Sequence, residues 1–152
     1  MTAAKAQIVT WLTDGTNGVK VYDDTIPVPV ALAGHVYDRY VGKGEFGAHV
    51  WTISVGPVIG APAEIASLGS FNKIIKENVQ IDVWVMEVRG ATWAAEKTRQ
   101  DVVQEVDRCL LHYANVGGSW LSVNVSNWRE IDEHGMRRSS MTAECIYEKV
   151  RA

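Results

Sequence analysis

Residues 92–115 carry an apolar stripe at helical spacing, and this most limits how the chain can fold. Ala95, Val102, Val106, Cys109, Leu110 and Tyr113 make the stripe, while Glu96, Lys97, Gln100, Asp101, Gln104 and Asp107 cover the opposite side. Thr92 serves as N-cap, and the Gly117-Gly118 pair ends the run. A long helix with one apolar side must be laid on a matching surface, and alternating segments supply it. Residues 48–56 set Trp51, Ile53 and Val55 against Val50, Thr52 and Ser54. Residues 79–88 set Val79, Ile81, Val83 and Val85 against Gln80, Asp82, Trp84 and Met86. A hairpin follows the helix, with a first arm over 120–128, a second over roughly 139–150, and Asp132-Glu133-His134-Gly135 near its turn.

Ahead of the strands, residues 3–13 place Ala4, Ile8, Trp11 and Leu12 at helical spacing and stop at Asp14-Gly15. Residues 15–47 are rich in Gly and Pro, with brief extended pieces at 19–22 and 35–40. Residues 57–78 show no sustained period and are expected to form a long loop, a kind of segment that is usually functional. The order α, β, β, α, β, β predicts an α+β fold. Its antiparallel or mixed sheet of about four strands packs under one long helix, with a short N-terminal helix. The 152 residues suit a single domain. Within it, 1–47 would hold the N-terminal helix and extended segment, and 48–152 the sheet and helix core.

Strand parity separates two faces of the sheet. One carries Trp51, Ile53, Val55, Val79, Ile81, Val83, Val85, Leu121, Val123, Val125, Met141, Ala143 and Cys145, a core to sit under the helix. The other carries polar Gln80, Asp82, Ser122, Asn124, Ser126, Thr142, Glu144 and Glu148, together with Trp84, Met86, Trp120, Trp128 and Ile146. The chain has 6 Trp against 2 Phe, and parity puts three of the six on a face that a lone two-layer domain keeps wet. Either the proline-rich N-terminal segment folds back over this face, or another subunit covers it. On the second reading Trp84, Met86, Trp120, Trp128 and Ile146 are candidate contacts with another subunit or another protein. Ile65, Leu68, Phe71 and Lys73 would then be contacts made by the long loop.

Chemistry is sought in the sequence with little return. Gly42-Lys43-Gly44-Glu45-Phe46-Gly47 matches a dinucleotide fingerprint, but a strand follows it where a helix is needed, so it reads as a connecting loop. Cys109-x-x-His112 with His134 and Cys145 has zinc-ligand residue types, yet Cys109 belongs to the core stripe and His134 to a turn. Both cysteines therefore read as small buried hydrophobes. There is no G-x-S-x-G, and His35, His49, His112 and His134 fall in unrelated elements. Glu130, Asp132 and Glu133 beside Arg129, Arg137 and Arg138 read as a solvated hairpin surface. A net charge of −3, with Lys73, Lys76 and Arg89 sparsely placed, gives no electrostatic reason to grip nucleic acid or an anionic membrane. No catalytic residue, cofactor or metal is expected. The N-terminus has no signal-peptide pattern, and two cysteines make no disulfide framework, which suggests folding in a reducing cytoplasm.

A family resemblance rests on particular segments. These are Ala33-Gly34-His35-Val36-Tyr37-Asp38, the strand over 49–55, and Val79-Gln80-Ile81-Asp82-Val83-Trp84-Val85 running into the long helix. Trp128-Arg129-Glu130 and Met141-Thr142-Ala143-Glu144-Cys145-Ile146-Tyr147 complete the set. Over roughly 30–150 the chain resembles the small tail-terminator, or tail-completion, proteins of long-tailed phages. It departs from them in a longer N-terminal segment and in the 57–78 stretch. The resemblance implies a homohexameric ring on the head-proximal end of the tail tube. Such a ring stops tube polymerisation, meets the head–tail connector, and lets DNA pass through its lumen without specific binding. It also implies a place in the virion tail or neck, after assembly in the host cytoplasm. Another neck ring, a stopper or adaptor, is the nearest alternative. A small ligand-binding domain with Trp84, Trp120 and Trp128 lining a pocket is the alternative of a different class.

Overall fold

The computed structural model describes residues 3–19, 22–23, 26–29, 36–38, 51–58, 63–68, 72–86, 92–116, 120–125, 128–133 and 136–150. Two strands form its axis: β6 (Asn72–Met86) and β9 (Met136–Val150), each 15 residues long. They pair antiparallel without a break, from Asn72↔Val150 to Met86↔Met136. Each outer edge of this ribbon is shared by two shorter strands. Along β6 these are β4 (Trp51–Val58), opposite its C-terminal half, and β5 (Ala63–Leu68), opposite its N-terminal end. Along β9 they are β7 (Trp120–Val125) and β8 (Arg129–Glu133). The short β3 (Val36–Tyr37) adds parallel to β4 and completes a 7-stranded mixed sheet. A separate ribbon joins β1 (Tyr22–Asp23) to β2 (Ile26–Pro29).

Helix α2 (Thr92–Val116) lies on one face of the sheet, and α1 (Ala3–Leu12) packs beside it. The architecture is α+β as expected, with a larger sheet. Part of the difference comes from 57–78, whose described residues are strand where a loop was expected. Val58 ends β4, 63–68 form β5, and 72–78 begin β6. The alternation does continue there, with Ile75 and Val79 both buried on the helix side. Glu77 takes the inward position between them and hides the apolar period. The first hairpin arm is also two strands: β7 stops at Val125, and β8 starts at Arg129 and forms the tight hairpin with β9.

Ile53, Val55, Val79, Ile81, Val83, Val85, Ala143 and Cys145 on the sheet, with Val102, Val106, Cys109 and Leu110 on α2, are fully buried. Each such aliphatic side chain contributes about 1.5–3 kcal/mol through removal from water. Every described side chain of the parity-derived core is buried, except Val123, which is partly buried and packs against it. Leu121 and Val125 lie outside the described side chains, as does Trp93.

Helix α1 is tied down at both ends. The Ala4 amide donates to the Glu77 Oε2 at 3.1 Å, so a buried carboxylate from the sheet caps the helix and complements its dipole. At the other end Trp11 stacks on Tyr113, with centroids 5.3 Å apart and planes at 3°. The Tyr113 hydroxyl donates to Asp14, and Arg108 Nη2 donates to the carbonyls of Asn17 (3.2 Å) and Gly18 (2.8 Å). Gly18 closes this turn: its amide donates to the Asp14 carbonyl at 2.9 Å, and the Val19 amide to the Leu12 carbonyl at 3.1 Å. A Cβ at Gly18 would lie 2.3 Å from the Asp14 carbonyl oxygen and 2.7 Å from that of Leu12. Backbone cannot yield as a flexible side chain does. Gly18→Ala is therefore expected to cost about 1–3 kcal/mol by urea unfolding. An unchanged midpoint would show that the turn re-forms around a side chain.

Candidate assembly surface

The sheet face opposite α2 divides into two halves. In one, Trp84 on β6, Met136 on β9 and the half-buried Tyr37 on β3 pack together. Beneath them lies a polar network. Asp82 is fully buried, and its Oδ1 accepts from Arg138 Nε and Nη2 at 3.2 and 3.1 Å. Gln80 Nε2 donates to both Asp82 oxygens at 3.2 and 3.0 Å. The Arg138 guanidinium stands 4.7 Å over the Trp84 ring, whose Nε1 donates to Ser54 Oγ at 3.3 Å. These groups meet because Ser54, Asp82 and Ser140 share one row of the sheet, and Thr52, Trp84 and Arg138 the next. A buried carboxylate needs this number of donors to be tolerated away from water.

The other half, toward β5 and β7, is more open. Ile74, Lys76, Asn78, Glu144, Ile146 and Glu148 are all half-exposed there. Lys76 Nζ lies 3.2 Å from Glu144 Oε2, a pair exposed enough to be worth little in stability.

The three tryptophans expected on this face do not stay together. Trp84 remains on it but is only 2% exposed, so the subunit itself takes it up. Trp128 falls on the helix side. It packs against the main core, and its Nε1 donates to Asp107 Oδ1 on α2 at 2.9 Å. Burial raises the Asp107 pKa and the Trp128 hydrogen bond offsets part of the rise. Trp120 stands opposite Tyr147, and an irregularity between Trp120 and Ser122 breaks the alternation on which its placement depended. Met86 stands opposite Met136, and Ile146 is half-exposed on the open half. Of the supposed loop contacts, Ile65 and Leu68 lie in β5, and Lys73 lies in β6, 2.8 Å from Glu64. Phe71 lies outside the described residues, as do residues 42–47, His35, His49, His134 and Arg89.

Two buried charges escaped the sequence reading. Arg99, 2% exposed on α2, donates to Asp132 on β8, and its Nη2 lies 3.2 Å from Glu130 Oε2. Arg137 Nη1 bonds Asp132 Oδ2 at 3.1 Å. Arg129, Glu130 and Asp132 of the acid–base cluster are exposed, as a solvated hairpin surface should be, and Glu130 and Asp132 in addition hold the buried Arg99 and anchor β8 to the helix. Arg99 stands three residues before Val102, within the apolar stripe, and an arginine in such a position is the signal for it. Glu77, at an inward strand position, carries the same kind of signal.

Cys109 and Cys145 are buried, as expected of them. Burial pushes each thiol up to about 12. Both should resist thiol reagents in the folded protein at neutral pH and react on denaturation; rapid modification of the native chain would show an open path to one of them. Because the folded-state values lie above the unfolded value of 9.0, their contribution to stability is complete below pH 9 and is lost as pH rises toward 12. Among the described residues no group of three or more His, Cys, Asp or Glu side chains is placed to hold a metal ion. No helix described is long and apolar enough to cross a membrane.

No protein-family model and no curated protein matches the sequence. Among solved structures, the fold is similar to a chain of the "Virion of native gene transfer agent (GTA) particle", with a TM-score of 0.59. The two share 14% identity, and the match spans 95% of this chain and 94% of that one. The architecture is therefore shared from end to end, with little sequence in common.

Proposed function

We propose that this protein is a structural component of a phage-like virion, forming a ring that caps the head-proximal end of the tail tube. The ring would stop tube polymerisation and join the tail to the head connector. The observation that carries this reading is the end-to-end likeness to a chain of a gene transfer agent virion, at a coverage that leaves no large segment of either chain over. The resemblance of 30–150 to tail-terminator proteins supports a position at the head-proximal end of the tail. The role needs no enzyme chemistry and no cofactor. Its partners are further copies of the chain, the tail tube protein and the connector protein. A closed ring uses two different patches on each subunit. The net charge of −3 suits a lumen through which DNA passes without tight binding.

The test is removal of the protein from its virus, followed by electron microscopy of the lysate. The terminator reading predicts overlong tails without heads. Tails of normal length lacking heads would place the protein at a stopper or adaptor position. Intact particles would overturn the reading.

A further inference from the structure

At one end of the sheet four strands lie side by side in the order β5-β6-β9-β7, each neighbouring pair antiparallel. It follows that β5 and β7, on the two flanks, run in opposite directions. Each is 6 residues long, and each has an edge that no described strand occupies. A β7 edge set against β5 of another copy continues the antiparallel alternation unbroken.

The composition of the edges favours such a contact. Exposed edges are normally protected by charges or proline. Strand β8 (Arg129-Glu130-Ile131-Asp132-Glu133) and β2, with Pro27 and Pro29, follow that rule. Strand β7 (Trp120-Leu121-Ser122-Val123-Asn124-Val125) carries neither a charge nor a proline. The one charge in β5, Glu64, is 2.8 Å from Lys73 within the same subunit. The half-exposed part of the sheet face lies at this same end.

The flanks are also staggered. Strand β5 stands opposite 72–76 of β6, whereas the β9 residues facing β7 stand opposite 75–79. The offset is three residues (75 against 72), roughly 10 Å along the strand direction. Strands that close into a ring must tilt, and a stagger of this kind produces the tilt.

We propose that β7 of one copy adds antiparallel to β5 of the next, so that one sheet runs from subunit to subunit around the ring. The proposal rests on the ring reading above and specifies how the ring closes. The full-length protein carrying Ala66→Cys with Ser122→Cys, or Ala66→Cys with Asn124→Cys, all at register positions of one sheet face, tests it under mild oxidation; the native thiols are buried. Non-reducing gels should show a ladder from dimer upward, with Ser122→Cys alone remaining monomeric. A dimer from Ser122→Cys alone would indicate a symmetric β7–β7 contact and overturn the proposal. Rings in negative stain with no disulfide in either pair would overturn it while leaving the ring reading standing. Neither rings nor disulfides would remove both.

Discussion

Asp82→Ala should lower stability by about 3–5 kcal/mol, because it removes the buried carboxylate on which Arg138 and Gln80 converge. The cost is not the worth of one ion pair. Asp82 is fully buried and the Arg138 side chain is 15% exposed, so the arginine keeps its desolvation penalty while losing this partner. Urea unfolding at constant m would measure the loss. A shift under about 1 kcal/mol would class the pair with exposed ones. The double variant Asp82→Ala with Arg138→Leu should recover part of the loss, since it removes the stranded charge as well. A double variant no better than Asp82→Ala would show that the Arg138 charge was not what made the single change costly.

Trp84→Ala should cost a similar amount, about 3–5 kcal/mol. The ring is 2% exposed, packs with Met136 and Tyr37, and carries a hydrogen bond to Ser54 and a guanidinium on its face. This outcome decides between two roles. A residue reserved for contact with another subunit would lose assembly and leave the isolated chain as stable as before. A core residue loses stability first. Trp84→Phe keeps one aromatic ring but loses part of the buried indole volume together with the N–H donor, so it should cost about 1–3 kcal/mol, less than the change to Ala. Trp84 and Asp82 share Arg138, so their combined loss should fall short of the sum.

How much of this was legible in the sequence depends on whether a pattern was local. The stripe of α2, the alternation of β4 and of 79–86, and the helical spacing of α1 each express one period within one segment, and each gave the right element. The start of β6 at 72–78 was missed because Glu77 occupies an inward position, where it caps α1 from a distant strand. The purpose of that residue lies 73 positions away along the chain. The anchoring of β8 to the helix was missed for the same reason, since Arg99 is 33 positions from Asp132. The tryptophan face failed at a break between strands: Trp128 precedes β8, so strand parity counted from β7 does not extend to it.

The sequence by itself determined the α+β class, the long helix and most residues of the apolar core, though not Ile75 or Tyr147. Periodicity and burial are linked one segment at a time, and hydrophobic burial acts on each side chain without regard to its exact partner. Only the tertiary structure decided where the buried charges go, which tryptophan faces which layer, and which edges of the sheet are left unclaimed by described strands. Those outcomes depend on direction, register and the meeting of groups far apart in the chain, because hydrogen bonds and ion pairs require a particular partner at a particular distance. Six tryptophans marked a chain with more apolar surface than a wet face should hold. The fold answers by sealing Trp84 inside the subunit and turning Trp128 toward the helix.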